Sequence, residues 1–283
     1  RTAYEPLLPG CYHLPSPYSY RNPFHESDPV KLAQMVAQAM EDEIIFQDPS
    51  TIAAFIMEPV QGAGGVIVPD ASFMKLARGI CDKHGILMIS DEVITGFGRT
   101  GDWSGARHWG VQPDMMTLAK GITSAYFPVG ATLVSAKVAE TFESDQSGEG
   151  SIWHGYTYSA HPVGMAAVNA CVSETLRLNL KSNAAARGNQ LYEGLKALQA
   201  DFDTIGDVRG GHGLMAAIEL VSDRDTKTPL EMGAIKRAHK ATYEAGTMVR
   251  IGGNNLLMSP PLILTEVDVD KILADLRSGL SAL

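Results

Sequence analysis

The chain has 283 residues, 45% of them hydrophobic, which suits one large domain or a large domain with a smaller one. It carries 23 Lys and Arg against 32 Asp and Glu, a formal net charge of −9, which argues against nucleic acid or an anionic membrane as main partner. No apolar run approaches the roughly 18–20 residues that span a bilayer, so we expect a cytoplasmic protein.

The cysteines and histidines show no ligand or disulfide pattern. Cys11, Cys81 and Cys171 are odd in number and far apart in the sequence. They therefore provide neither a disulfide framework nor a Cys-x-x-Cys zinc pair. His154 and His161 are seven positions apart, a spacing that suits no common pair of metal ligands, so no metal site is expected.

Helices and strands alternate in the first half of the chain. The first 29 residues, rich in Pro and Tyr, are expected to be irregular. Helical spacing of apolar residues predicts helices at 31–46 and 73–84. Short apolar runs predict strands at 52–57, 86–90, 115–118 and 131–135. This alternation predicts a parallel sheet covered by helices on both faces.

The pattern changes after Pro162. Long helices are predicted at 163–178 and 184–199, followed by an apolar segment at 214–220, a helix near 230–245 and a strand at about 247–251. Thr265 is a suitable N-cap for a last helix. We expect residues 1–183 to belong to a large domain, with 163–178 as its linking helix, and 184–283 to form a smaller α+β domain.

Three predicted strands end in charged residues, namely Glu58, Asp91 and Lys120. Ligands of open parallel sheets bind at the carboxyl ends of the strands, so these three side chains are expected at one binding rim. Buried charges must be paired or neutralised, so they should face one ligand or one another.

A lysine and an aspartate at one rim are what pyridoxal phosphate chemistry needs. A desolvated lysine can act as a nucleophile toward a carbonyl, and a carboxylate can keep a ring nitrogen protonated. A Lys–Asp salt bridge that closes a loop remains the alternative. An ATPase strand that holds Mg²⁺ would also end in acids, but the chain contains no G-x-x-x-x-G-K-[ST] phosphate loop.

Five segments, in this order, resemble the class III aminotransferases. They are EPVQGAGGVIVP (58–69), DEVITGFGRTG (91–101), PDMMTLAKG (113–121), HGYTYSAHP (154–162) and MVRIGGNNLLMSPPLILT (248–265). The resemblance covers nearly all of the chain and is strongest to the pyruvate-dependent ω-transaminases, or amine:pyruvate aminotransferases. It implies an α/β, fold-type I pyridoxal-phosphate-dependent transferase, with a mostly parallel sheet in a large domain and a small C-terminal α+β domain.

The resemblance also implies roles for individual residues around the cofactor. Lys120 resembles the lysine that forms an aldimine with pyridoxal 5'-phosphate and later moves the substrate proton. Asp91 resembles the carboxylate that pairs with the pyridinium nitrogen, and Val93 the residue that packs on one ring face. Tyr156 and Thr157 resemble the pair that reaches the cofactor phosphate of the neighbouring subunit, which implies a homodimer with a shared active site.

Other residues are expected to bind substrate or support the site. Arg250 resembles the mobile arginine that binds a substrate carboxylate, which suits its planar fork. Trp153 is expected to line the pocket or pack at the subunit interface, and Glu58 to organise the site through hydrogen bonds. Glu92 is expected to play a supporting role. A turn hydroxyl for Thr157 and a surface strand residue for Arg250 remain the structural alternatives.

The resemblance implies transfer of an amino group from a primary amine or ω-amino acid to pyruvate or a similar 2-oxo acid, in two half-reactions. Ala63 occupies a position where ornithine and 4-aminobutyrate relatives carry an acid, which favours the amine:pyruvate branch. Another pyridoxal phosphate reaction (aminomutase, racemase or decarboxylase) and an inactive fragment or interaction module stay open.

The family's phosphate-binding turn and ring-stacking aromatic residue precede the matched segments in relatives. Neither feature is present in this sequence, which begins at Arg1 without Met. Our hypothesis is that the chain is a piece of a longer protein.

Overall fold

The computed structural model describes residues 4–145 and 147–283. Its first sheet has the strand order β1-β2-β3-β4. The strands are β1 (Ala54–Met57), β2 (Leu87–Asp91), β3 (Met115–Leu118) and β4 (Ala131–Val134). β1, β2 and β3 are parallel, as predicted, whereas β4 runs antiparallel to β3. The sheet is therefore mostly parallel, as the resemblance implies. β4 is the exception, because the link from β3 contains a 3-10 turn rather than the crossover helix that parallel strands need.

Two helices pack on this sheet and on each other. α1 (Pro29–Phe46) begins two residues before its predicted start, because Asp28 accepts hydrogen bonds from the first-turn amides and Pro29 suits that turn. α2 (Phe73–His84) has its predicted bounds and ends at Gly85, whose φ of 70° is the left-handed conformation that favours glycine. The helices bury apolar residues against the strands, including Met40, Met74, Ala77 and Cys81, which share one core with Met88 of β2.

The second sheet is antiparallel, with the order β5-β6-β9-β8 and a short β7 beside β6. Its strands are β5 (Ile205–Arg209), β6 (Ala216–Asp223), β7 (Thr228–Pro229), β8 (Arg250–Gly252) and β9 (Asn255–Met258). β5 and β9 were not predicted from the sequence. Gly206 and Asp207 interrupt the apolar pattern of β5, and a Gly-Gly-Asn-Asn run hides the beginning of β9.

The remaining helices are α3 (Gly105–His108), α4 (Ala136–Glu143), α5 (Pro162–Arg177), α6 (Leu180–Asp201), α7 (Met232–Ala245) and α8 (Glu266–Leu280). α3 and α4 were not predicted. Thr265 and Asp268 form a capping box at α8, which confirms the predicted cap. Apolar residues of α6, α7 and α8 cover the second sheet, among them Leu191, Leu195, Ile235, Val269 and Leu276.

The two sheets share apolar contacts. Met215, Ala217 and Leu257 come from the second half of the chain but pack in the core of the first sheet. The division between residues 183 and 184 therefore stays a prediction. Within the described residues, no helix is long and apolar enough to cross a membrane. No group of three or more His, Cys, Asp or Glu there is placed to hold a metal ion.

Candidate active site

Parallel strands bring three charged residues to one rim of the first sheet. Glu58 follows β1, Asp91 ends β2, and Lys120 lies two residues beyond β3. Asp91 stands opposite Thr117 of β3 in the strand register. The charges of Asp91 and Lys120 both act on the carboxyl of Glu58, so the three groups lie close together.

Asp91 is half-buried, and one of its carboxylate oxygens is fixed. Its Oδ1 accepts hydrogen bonds from the Val93 amide and from Thr117 Oγ1, each at 3.1 Å. Among the described residues, no hydrogen bond reaches its Oδ2. The carboxylate is thus oriented by its own loop and by the neighbouring strand, and its second oxygen remains available to a ligand.

Lys120 begins a 3-10 turn, Lys120–Ile122, with a φ of 41°. This φ is unusual for a residue with a side chain, and such strain often accompanies functional positions. Its carbonyl accepts a hydrogen bond from the Ser124 amide at 3.0 Å. In the part of the chain that the structure describes, the Lys120 amine is exposed and has no ion pair or hydrogen bond. The Lys–Asp salt bridge considered as an alternative is not formed there.

Glu58 stabilises the loop that follows β1. One carboxylate oxygen accepts a hydrogen bond from the Gly62 amide at 2.9 Å. Burial raises the pKa of Glu58, and the negative charge of Asp91 adds to this effect, while the Gly62 hydrogen bond and Lys120 oppose it. The expectation that Glu58 organises the rim through hydrogen bonds agrees with this geometry.

Glu92 is 0% exposed and faces the protein interior. Its two oxygens accept four hydrogen bonds, from Ser90 Oγ (2.8 Å), Thr95 Oγ1 (2.5 Å) and the amides of Gly105 and Ala106 (2.7 Å each). The carboxylate therefore ties the end of β2 to the beginning of α3. This placement agrees with a supporting role.

The loops that follow β1 and β2 are in direct contact. A Cβ atom on Gly62 would lie 2.4 Å from Ile94 Cδ1, so glycine permits this close approach. Val93 is half-buried in the second of these loops, next to Asp91. Its placement at the rim agrees with the predicted contact on a ring face.

Trp153, Tyr156 and Thr157 lie on an exposed segment, with 93% of Trp153 and 75% of Tyr156 accessible. No hydrogen bond of the described residues joins their side chains to the rim. Tyr156 lines an open cavity of ≈ 590 Å³ together with Phe127 and His161. The structure thus does not bring these predicted residues together with Asp91 and Lys120 in one subunit.

Arg250 begins β8 and is exposed. Its strand passes the tip of the loop after β1, because a Cβ atom on Gly252 would lie 3.9 Å from the carbonyl oxygen of Ala63. The strand that begins at Arg250 is therefore a spatial neighbour of the loop that contains Ala63, the residue that favoured the amine:pyruvate branch.

Two polar residues at the rim's periphery were not predicted as functional. Thr117 donates a hydrogen bond to the Asp91 carboxylate. The feature that could have identified it is the pairing of β2 with β3, which places the two residues opposite each other. Arg209 donates from Nε to the Gly65 carbonyl at 2.7 Å, across 144 positions of sequence, and no local pattern indicates that contact. Arg99 donates to the carbonyls of Leu214 and Pro260, and burial lowers its pKa to about 10.

The arrangement at the rim agrees with a comparison against known families. The family description "Aminotransferase class-III" matches residues 1–280. The chain belongs to the class III aminotransferases. The predicted resemblance is thereby confirmed.

Individual relatives of this class III aminotransferase chain point the same way. It is 38% identical over 282 residues to a taurine–pyruvate aminotransferase of Bilophila wadsworthia, covering 97% of this chain and 61% of that protein. It is 35% identical over 280 residues to a putrescine–pyruvate aminotransferase of Pseudomonas aeruginosa, covering 96% and 59%. The chain therefore spans about three fifths of the length of these relatives.

A solved structure extends the likeness to the whole described fold. An amine transaminase from an uncultivated Pseudomonas species, in its PLP-bound (internal aldimine) form, superposes with a TM-score of 0.96 at 44% identity. The match covers 99% of this class III chain and 64% of that structure. The predicted fold-type I architecture is confirmed.

Proposed function

We propose that this chain is part of a pyridoxal-phosphate-dependent aminotransferase that moves an amino group from a primary amine or ω-amino acid to pyruvate or a similar 2-oxo acid. Family membership supports transamination, and the two pyruvate-dependent relatives support the acceptor. The observation that carries the proposal is the pair formed by Asp91 and Lys120, each with a free functional atom at one rim.

The residues at the rim fit pyridoxal 5'-phosphate. This cofactor needs an amine for its aldehyde carbon and an acid for its ring nitrogen, and the Lys120 amine and Asp91 Oδ2 supply these groups. When bound, it provides a ring that accepts electrons from the substrate Cα. The solved relative that contains PLP supports the same assignment.

The chain's own residues then hold and move protons. Asp91 keeps the proton on the ring nitrogen, while Thr117 and the Val93 amide hold its carboxylate in place. With the cofactor bound, the Lys120 amine would take the proton from the substrate Cα and deliver it to the carbon that was the cofactor's aldehyde carbon. The Val93 side chain packs against one ring face.

Substrate and subunit contacts complete the proposal. Arg250 binds the carboxylate of the 2-oxo acid, and its exposed position leaves it free to move aside for a plain amine. Tyr156 and Thr157 bind the cofactor phosphate of a second subunit in a homodimer, and Trp153 lines the pocket or the interface. These side chains are exposed, and among the described residues they form no hydrogen bond to the rim of their own subunit, which supports this arrangement.

A half-reaction experiment on the full-length, cofactor-loaded protein tests the proposal. Primary amines should bleach the visible band of the lysine-bound cofactor, and pyruvate should restore it. Lys120→Ala should abolish the band, whereas Asp91→Asn should keep it and slow the amine half-reaction about 10²- to 10³-fold, since it removes charge stabilisation at the ring nitrogen. Lys240→Ala, an exposed lysine of α7, serves as control. A band that pyruvate cannot restore after any amine would show that the acceptor is wrong.

A further inference from the structure

Arg209, at the end of β5, is 7% exposed and takes no part in the proposed chemistry. Its guanidinium nevertheless donates hydrogen bonds to five groups. The acceptors are the carbonyl of Gly65, the hydroxyl of Tyr18, the carboxylates of Asp207 and Glu219, and Oδ1 of Asn255. A buried arginine with this many partners holds several segments in a fixed relation.

One of these segments is the loop after β1, whose arms are joined by paired backbone hydrogen bonds between Gln61 and Ile67 at 3.0 Å. Arg209 Nε donates to the carbonyl of Gly65 at the loop tip, at 2.7 Å. Gly65 has a φ of 130°, and a Cβ there would lie 3.3 Å from Arg209 Nη2. The glycine thus allows the guanidinium to reach the backbone of the tip.

The second segment is the β8–β9 hairpin that carries Arg250. Arg209 Nη2 donates to Asn255 Oδ1, and Asn255 Nδ2 donates in turn to the carbonyl of Gly252 at 2.9 Å. Asn255 and Gly252 also pair across the hairpin, two residues beyond Arg250. A continuous series of hydrogen bonds therefore runs from the loop tip through Arg209 to the strand of Arg250.

Acidic neighbours fix the orientation of this arginine. Asp207 accepts from Arg209 Nη1 at 2.6 Å and Glu219 at 3.2 Å, and Arg21 neutralises the other oxygen of Glu219 at 2.5 Å. The Arg209 guanidinium also lies over the Tyr18 ring, 4.7 Å from its centroid. A lysine would keep the charge but could not reproduce the planar fork that reaches the loop and the hairpin together.

We propose that Arg209 is a positioning residue that sets the place of Arg250 relative to the loop containing Ala63, and thereby the binding of the 2-oxo acid carboxylate. This inference rests on the proposed function and deepens it. Because a plain amine has no carboxylate for Arg250, its reaction should not depend on Arg209. A small displacement of a binding group strongly affects a reaction that needs this group. Substitution of Arg209 should therefore impair the reaction with the 2-oxo acid and spare the reaction with the amine.

The test compares Arg209→Lys and Asn255→Ala in the full-length holoenzyme, with pyruvate as acceptor and 1-phenylethylamine as donor. We expect the KM for pyruvate to rise about tenfold in Arg209→Lys and less in Asn255→Ala, with the KM for the amine within about twofold. Hydrogen exchange should accelerate at residues 62–67 and 250–257, but not in α2. Arg78→Lys is the matched control, because this half-buried arginine pairs with Asp114 at the opposite end of β3 and should leave both KM values unchanged.

A double variant separates positioning from general damage. In an Arg250→Ala background, Arg209→Lys should change the KM for pyruvate by less than about twofold, since the group it positions is gone. Equal increases of KM for pyruvate and amine, or an unchanged KM for pyruvate in Arg209→Lys, would overturn the inference while the proposed function stands. An unmodified holoenzyme that fails to react with pyruvate would overturn both.

Discussion

Three carboxylates at one rim have different environments, and these environments decide their roles. Glu92 accepts four hydrogen bonds in the interior and has no capacity left for a ligand. Asp91 uses one oxygen to fix its orientation and leaves the other available. Glu58 is partly buried beside a like charge, which raises its pKa. Of the three, only Asp91 combines a fixed orientation with an oxygen that a protonated ring nitrogen could use.

The raised pKa of Glu58 predicts a definite dependence of stability on pH. Above about pH 4.5, its ordinary pKa, the folded protein holds this proton more tightly than the unfolded chain does. The free energy of unfolding should therefore fall as the pH rises through the interval up to the folded-state pKa. Glu58→Gln keeps an acceptor for the Gly62 amide but has no proton to lose, so it should remove this decline.

Urea unfolding of the full-length, cofactor-free protein at pH values from 4 to 7 measures the effect. Glu58→Gln should match the unmodified protein near pH 4 and exceed its stability at pH 7. Glu140→Gln, at an exposed position of α4, should reproduce the unmodified pH profile. If the free energy of unfolding of Glu58→Gln declines with pH as steeply as that of the unmodified protein, the Glu58 carboxyl does not have a raised pKa in the folded state.

The pattern of apolar and charged residues locates Asp91 and Glu92, but only the family resemblance separates their roles. Asp91 and Glu92 are adjacent at the end of an apolar run, and neighbouring side chains of an extended chain point in opposite directions. Which direction leads to the ligand depends on what packs beneath the strand. The amides of Gly105 and Ala106 receive Glu92 here, and they belong to a four-residue helix with no periodic signal.

At the scale of elements, local signals determined what could be predicted. α2 and β3 have their predicted bounds, since a glycine stop ends the first, and the second is a short, mostly apolar run in which Thr117 is the one polar residue. β5 contains a glycine and two charged residues, and it becomes a strand through its pairing with β6. The direction of β4 likewise depends on a connection whose path the sequence pattern does not specify.

The link between β2 and α3 makes Glu92 a structural requirement. Glu92→Gln replaces one acceptor oxygen with an NH₂ group that faces a hydroxyl and a backbone amide, both of which are donors here. Loss of these charge-assisted bonds in the interior should lower the free energy of unfolding by about 3 kcal/mol. Chemical denaturation of the full-length protein measures this loss.

A graded comparison distinguishes the network from a general effect of substitution. Ser90→Ala removes one donor and leaves the carboxylate bound to the other three, so it should cost about 1 kcal/mol. A Glu92→Gln variant as stable as Ser90→Ala would contradict the assignment of Glu92 as the group that joins the two elements.

At the scale of the whole molecule, the exposed aromatic residues indicate contacts that one copy of the chain does not make. Tyr158 is 79% exposed, in the same segment as Trp153 and Tyr156. Tyr126 is 89% exposed and precedes Phe127, which lines the same cavity as Tyr156 and Tyr158. Clustered apolar exposure of this kind marks interaction surfaces, which are enriched in aromatic residues. The proposed homodimer would place this segment against a second subunit.

The shared site predicts that subunit association and cofactor binding are coupled. In the full-length protein, Trp153→Ser combined with Tyr158→Ser should shift the sedimentation profile from dimer toward monomer, because the pair removes large apolar contacts. The affinity for pyridoxal phosphate should fall about tenfold in parallel, since the phosphate then loses Tyr156 and Thr157 of the second subunit. Tyr243→Ser, at a tyrosine of α7 that is 60% exposed, is the matched control and should alter neither property. A monomeric double variant that binds the cofactor as tightly as the unmodified protein would show that each subunit holds its cofactor alone.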